Sequence, residues 1–287
     1  MNTPQTRPKA RARARAQAQA RAIRLGPKSI AALLLVSAIG VAAFGWPLLA
    51  DGDSGVTDHA ADAPWLFAAL LPLLVGVVTA TIAESGLGAK AVAMLGVLAA
   101  VGAALRPLGA GTAGLEPMFF LMILAGRVLG PGFGFVLGSV TMFASALLTG
   151  GVGPWMPFQM LSMGWVSMGA GLLPGPDRLR GRAELAMLAL YGAAASVAYG
   201  FVMNLYGWTI VPGMSSGLSF QAGDPVHENL VRFFAYCLAT SMGWDLGRAA
   251  VTVALTLAVG ATVLKALRRA TRRAAFEAPV TFQDKNQ

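Results

Sequence analysis

The chain has 287 residues, of which 56% are apolar and only 12% charged, and its mean hydropathy is +0.63. Soluble domains carry about a quarter charged residues, so a water-soluble globular enzyme is excluded. The net charge of +9 is gathered at the ends: eight of the 22 Lys and Arg residues fall in residues 1–28 and six more from Lys265 onward. With an oily middle, that distribution describes an integral membrane protein, not a nucleic-acid binder with a basic fold surface.

Residues 1–28 contain Arg7, Lys9, Arg11, Arg13, Arg15, Arg21, Arg24 and Lys28, and no acid precedes Asp51. Residues 10–22 alternate Ala with Arg or Gln and offer no apolar face, so residues 1–28 read as a disordered basic cytoplasmic tail. A cleaved signal peptide fits less well: the next apolar run is longer than a signal core, and no small-x-small site follows before Asp51.

Crossing the hydrocarbon takes about 20 apolar residues. Residues 30–50 and 63–83 are uncharged and form a first hairpin within 29–87, joined by a loop holding Asp51, Asp53, Asp58 and Asp62. A third span, 91–105, is short and extended by a snorkelling Lys90; the fourth, 117–129, is shorter still. Residues 128–176 are wholly uncharged, room for two helices separated by the Gly- and Pro-containing break at 149–155. A seventh span covers 185–206. The apolar stretch 233–264 is too long for one perpendicular helix, so the eighth span is placed at 241–264 with 228–240 at the outer surface.

Eight spans put both termini on one side. The loops on that side hold Lys90, Arg127, Arg178, Arg180 and Arg182, against Arg106 and the membrane-edge Arg232 on the other. The positive-inside rule therefore places both termini in the cytoplasm. The fold class is all-α, a multi-pass protein of about eight transmembrane helices.

Small residues form two stripes. Ala89, Ala93, Gly96, Ala100 and Ala103 share one face of the third span, and Gly130, Gly134 and Gly138 recur every four residues at the fifth. Small faces let helices approach closely in lipid. For the glycines, packing within the chain is the better reading; for the alanines, a partner protein competes with it.

Charges within a membrane default to pairing or function. Asp245 and Arg248, three apart, meet on one face of the last helix, either as a structural ion pair or as a ligand-reading pair. Arg106 and Glu116 bracket a Gly-rich outer loop soft enough to act as a lid; membrane-edge anchoring is the plainer reading. Asn204 and Trp208, like Trp155 and Gln159, stand four apart near outer helix ends. A Trp there is ordinarily an interface anchor. Together these amides, indoles and charges have the composition of an organic-solute pocket, and its aromatic content suits a flat heteroaromatic or large ring, corrinoids included.

Catalytic readings fail on inventory. His59 and His227 lie in outer loops without partners at ligand spacing, so neither a metal nor another cofactor is called for. The serines of residues 213–217 have no intramembrane base beside them. No G-x-x-x-x-G-K-[ST] run exists, so this chain lacks that machinery for ATP hydrolysis.

Residues 119–138, FFLMILAGRVLGPGFGFVLG, resemble the second-to-third helix hairpin of the substrate-binding (S) components of energy-coupling factor (ECF) vitamin transporters. The small-residue helix at 89–104, GPWMPFQ at 153–159 and TSMGWDLGR at 240–248 are similar to that family too, and the resemblance covers about residues 88–270. It implies a six-helix core, here spans three to eight, that binds a vitamin-like micronutrient near the outer surface without catalysing a reaction. Trp244, within the last of these motifs, then joins Trp155, Gln159, Asn204, Trp208, Asp245, Arg248, Arg106 and Glu116 as a substrate-site candidate. The resemblance further implies a transmembrane coupling (T) protein and two cytoplasmic ATPases as partners, with Ala89, Ala93, Gly96 and Ala100 facing the T protein and residues 106–116 gating the pocket. It does not explain the tail 1–28 or the extra hairpin 29–87; residues 271–287 form a cytoplasmic C-terminal tail. The rival reading is a self-contained ion-coupled secondary transporter with Asp245 as coupling carboxylate. The sequence has no internal repeat of the kind such transporters often show. A ligand-free membrane scaffold is the plainest alternative.

Overall fold

In a computed structural model, residues 26–49, 63–84, 89–109, 112, 114–175, 178–208, 215, 217–221 and 223–274 are described. Among them there are no strands. Ten α-helices follow in order: α1 Pro27–Leu49, α2 Ala63–Glu84, α3 Ala89–Leu105, α4 Met118–Leu129, α5 Pro131–Thr149, α6 Met156–Leu172, α7 Arg182–Trp208, α8 Val226–Thr240, α9 Met242–Ala258 and α10 Gly260–Ala274. This is an all-α membrane protein. The N-terminal tail to residue 25, the acidic loop 50–62 and the C-terminal tail from residue 275 lie outside the described residues.

Helix α4 is the axis of the bundle. Every residue in it except Val128 is buried, and α3, α5, α6, α7, α9 and α10 all pack against it. Its 12 residues span about 18 Å at 1.5 Å per residue, too short to cross a hydrocarbon layer of about 30 Å alone. A segment this short, apolar but for Arg127 in its last turn, is tolerable because protein, not lipid, surrounds it. Helices α1, α3 (with the turn to residue 109), α5 and α7 are long and apolar enough to span, and α9 with α10 makes a fifth candidate. Among the described residues, length and composition alone therefore single out four to five spans.

Glycine sets the tightest contacts. Gly130, at φ +94°, turns the chain out of α4, and Pro131 opens α5 at a position where no amide hydrogen is needed. A Cβ on Gly134 would come within 2.7 Å of the Ser167 carbonyl oxygen, and one on Gly138 would collide with that of Met163. The glycine stripe therefore brings α5 against α6 within the chain. Hydroxyls tie α6 to both neighbours: Ser139 of α5 donates to the Met160 carbonyl at 3.1 Å, and Ser167 donates to the Met122 carbonyl of α4 at 2.8 Å.

The extra hairpin lies on one flank. Helix α1 meets α6, α7 and α8, while α2 meets α5 and α6. The Trp165 indole donates to Ser37 at 2.9 Å, and Phe44 packs edge-on against Phe158.

The last span corrects the expectation of one helix over 241–264. The chain bends by 70° between α9 and α10. Gly260 weakens helix continuity there. Beyond it, Leu264 and Leu267 are buried while Lys265 and Arg269 are exposed, a stripe that follows the bundle's end instead of the lipid. Before it, 226–240 is a separate helix, and Ser241 breaks the chain between α8 and α9.

Candidate functional site

The short spacing from Ser241 to Arg248 places three polar side chains on successive turns at the start of α9. Asp245 is 2% exposed; its Oδ2 accepts from the Ser241 hydroxyl at 3.1 Å, and its Oδ1 meets Arg248 Nη1 at 2.7 Å. Gly200 on α7 makes room for this carboxylate, because any Cβ there would overlap it. Arg248 also donates from Nη1 to the Ser196 carbonyl at 3.2 Å, and its Nε meets Glu116 Oε2 at 3.0 Å. Its guanidinium carbon sits 5.0 Å from the Phe119 ring centre and 5.2 Å from that of Tyr199. Two acids and two aromatic faces thus compensate one buried cation.

Neighbouring helices extend the group. Asn204 on α7 donates to Ser241 Oγ at 2.6 Å and to Cys237 Sγ at 3.2 Å. Arg106, just beyond α3, donates to Gln159 Oε1 on α6 at 3.1 Å and to Ser145 Oγ on α5 at 3.5 Å. Its partners here are neutral, unlike those of Arg248.

The described residues of the segment 106–116 pack against this end. Gly114, at φ +86°, lies so near the Trp244 backbone that a Cβ would overlap that carbonyl, and Gly109 fits equally tightly against the Leu115 carbonyl. Only glycine combines that φ with that approach. Glu116 then reaches Arg248. Residues 110, 111 and 113 of this expected lid lie outside the described residues.

The structure therefore brings Asp245, Arg248, Glu116 and Asn204 together, with Arg106 and Gln159 forming a second bonded pair. The three tryptophans separate from them. Trp208 is 1% exposed, donates its indole N–H to the Leu218 carbonyl at 2.7 Å, and packs on Phe220 and Phe233. It belongs to a second core that joins α7 to α8. Trp155 is exposed and donates to the Gly151 carbonyl within its own turn. Trp244 is exposed, and it is its backbone that meets Gly114. A four-residue spacing fixes a helical face but not which neighbour covers it, which is why these side chains diverge from the amides beside them.

Sequence reasoning missed Ser241, Tyr199, Phe119, Ser145 and the Ser196 carbonyl. Ser241 stands four residues before Asp245 and was legible by that spacing; the others arrive from different helices and left no local signal.

On α3, Ala89, Ala93, Gly96 and Ala100 are exposed, and a Cβ on Gly96 would meet nothing within 4 Å. Ala103, at the end of the same stripe, is 3% exposed and turns into the core.

A second charged group occupies the opposite end of α4 and α7. Arg127 Nε and Arg268 Nη2 both reach Glu184 Oε1, at 2.9 and 2.6 Å, and Arg127 Nη1 donates to the Leu173 carbonyl at 3.1 Å.

Residues 90–265 match the family described as ECF transporter, substrate-specific component. No curated protein and no solved structure matches the chain.

Proposed function

Because the chain belongs to the family of substrate-specific components of ECF transporters, we propose that it captures a vitamin-like micronutrient outside the cell membrane for import driven by ATP hydrolysis on other chains. The observation that carries this reading is the contact group Glu116–Arg248–Asp245–Ser241–Asn204, which ties the loop after α3 to α7 and α9 over an aromatic floor. Asp245 and Arg248 orient the solute, Glu116 fastens the lid, and Arg106 with Gln159 forms the opposite wall. Arg106 is held by neutral oxygens, so an acceptor-rich or anionic group on the solute complements it. Residues 106–116 open by parting the Glu116–Arg248 pair and lifting Gly114 off Trp244.

In this reading, residues 88–270 form the six-helix binding core, 29–87 an accessory hairpin, and the tails 1–28 and 271–287 lie in the cytoplasm. The partners are a transmembrane coupling protein and two cytoplasmic ATPases. Ala89, Ala93, Gly96 and Ala100 meet the coupling protein, against which the whole subunit reorients. The packing supports this, since the accessory hairpin covers α5 to α8 while that face of α3 stays open. A self-contained ion-coupled transporter is the weaker reading, because Asp245 would have to part from both Arg248 and Ser241 in every cycle.

The test is native mass spectrometry of the gently extracted protein, followed by thermal-shift measurements against B-vitamins. A co-purifying solute that raises the melting temperature and is lost in Asp245→Asn is the expected result. Proton- or sodium-driven uptake in vesicles lacking any ATPase would overturn the reading.

A further inference from the structure

Helix α10 turns 70° away from α9, so when α9 lies along the membrane normal α10 runs close to the membrane plane. Its roll is fixed from two sides. Leu264 and Leu267 are buried in the core, and α10 packs on α4. Arg268 meets Glu184, which is 2% exposed in the first turn of α7. These anchors leave Lys265 and Arg269, one helical turn apart, on the exposed face. Neither has an acidic partner among the described residues. With Thr262, Ala266 and Ala270 they line a shallow groove of about 510 Å³, and the small side chains between the cations leave it open. The same helix goes on through Arg272 and Arg273.

We propose that this face of α10 binds the phosphates of anionic lipid headgroups, with Lys265 and Arg269 as a two-point clamp. Three features favour lipid over an acidic protein surface. The helix lies along the end of a membrane-spanning bundle, its apolar side is already used within the chain, and its free side carries two cations with no acidic partner among the described residues. The inference uses α10 alone and is independent of which solute the site at the other end binds.

The experiment places the full-length protein in detergent micelles and titrates phosphatidylglycerol against phosphatidylcholine, reading retained lipid by native mass spectrometry. Wild type is expected to keep phosphatidylglycerol preferentially. K265Q/R269Q is expected to weaken that retention by about thirtyfold, from about fivefold per cation, while K265R/R269K restores it. Both side chains are exposed and have no acidic partner among the described residues, so these variants fold, as an unchanged melting temperature in phosphatidylcholine verifies. Equal retention of the two lipids by wild type, or undiminished phosphatidylglycerol retention by K265Q/R269Q, overturns the proposal. Stabilisation by inorganic phosphate equal to that by phosphatidylglycerol also overturns it, in favour of a free-anion site. So does loss of co-purifying protein partners from K265Q/R269Q with lipid retention intact. None of these outcomes bears on solute binding, which the vitamin screen tests separately.

Discussion

The two charged clusters at the ends of α4 use the same chemistry to different ends. Around Glu184, two arginines from α4 and α10 converge on one carboxylate oxygen, and the Arg127–Glu184 pair is 2% exposed on both sides. Around Arg248, two acids converge on one guanidinium, but one of them, Glu116, comes from a loop and is 27% exposed. The first joins helix to helix: all three of its members stand on helices, although Arg268 is itself 36% exposed. The second draws one member, Glu116, from a loop instead of a helix. On the function proposed above, a buried ion group becomes a working site when one partner stands on a segment that can leave.

The largest effect separating the two is expected at Glu184. Glu184→Ala leaves Arg127 and Arg268 without their shared acid, and breaking such a buried pair costs about 3–5 kcal/mol. Chemical unfolding in detergent reads this as a lowered midpoint, and wild-type stability would show that the cluster is not a structural tie. Next comes Gly200→Ala, whose Cβ overlaps the Asp245 carboxylate. Overpacking there costs about 1–3 kcal/mol, with solute retention lost alongside, and retained solute would place the binding site elsewhere.

Glu116→Gln sharpens the comparison from the other side. A part-exposed pair contributes about 1 kcal/mol or less, so the melting temperature should barely move while bound solute dissociates faster in a washout measurement. An unchanged off-rate would remove Glu116 from the lid. The smallest stability effect belongs to Gly96→Leu, since its Cβ direction is empty and surface changes stay within about 0.5 kcal/mol. Co-purification of the coupling protein should nevertheless fail. Intact complex would free α3 of that role.

The helices themselves were largely legible from the sequence. Uncharged runs place α1, α2, α3 and α7 within a few residues of their ends, and the break at 149–155 separates α5 from α6 as expected. Gly134 and Gly138 were legible as close-approach positions because spacing by four fixes a face. Asp245 and Arg248 were legible as a pair because both sit on one helix, three residues apart. Local spacing and hydrophobicity carry all of this, since each depends only on residues near in sequence.

What only the tertiary structure decided are the relations between distant residues. Glu116 and Arg248 stand 132 positions apart, and no periodicity links them. Trp208 looks like an interface residue until α8 folds back and buries it. The twelve residues of α4, apolar but for Arg127, resemble a short span until six helices enclose them. The bend after Ala258 is decided the same way, because Leu264, Leu267 and Arg268 find partners on α4 and α7 that a straight helix would carry them past. Hydrophobicity sets which residues avoid water; only packing determines whether lipid, another helix or a paired charge replaces it.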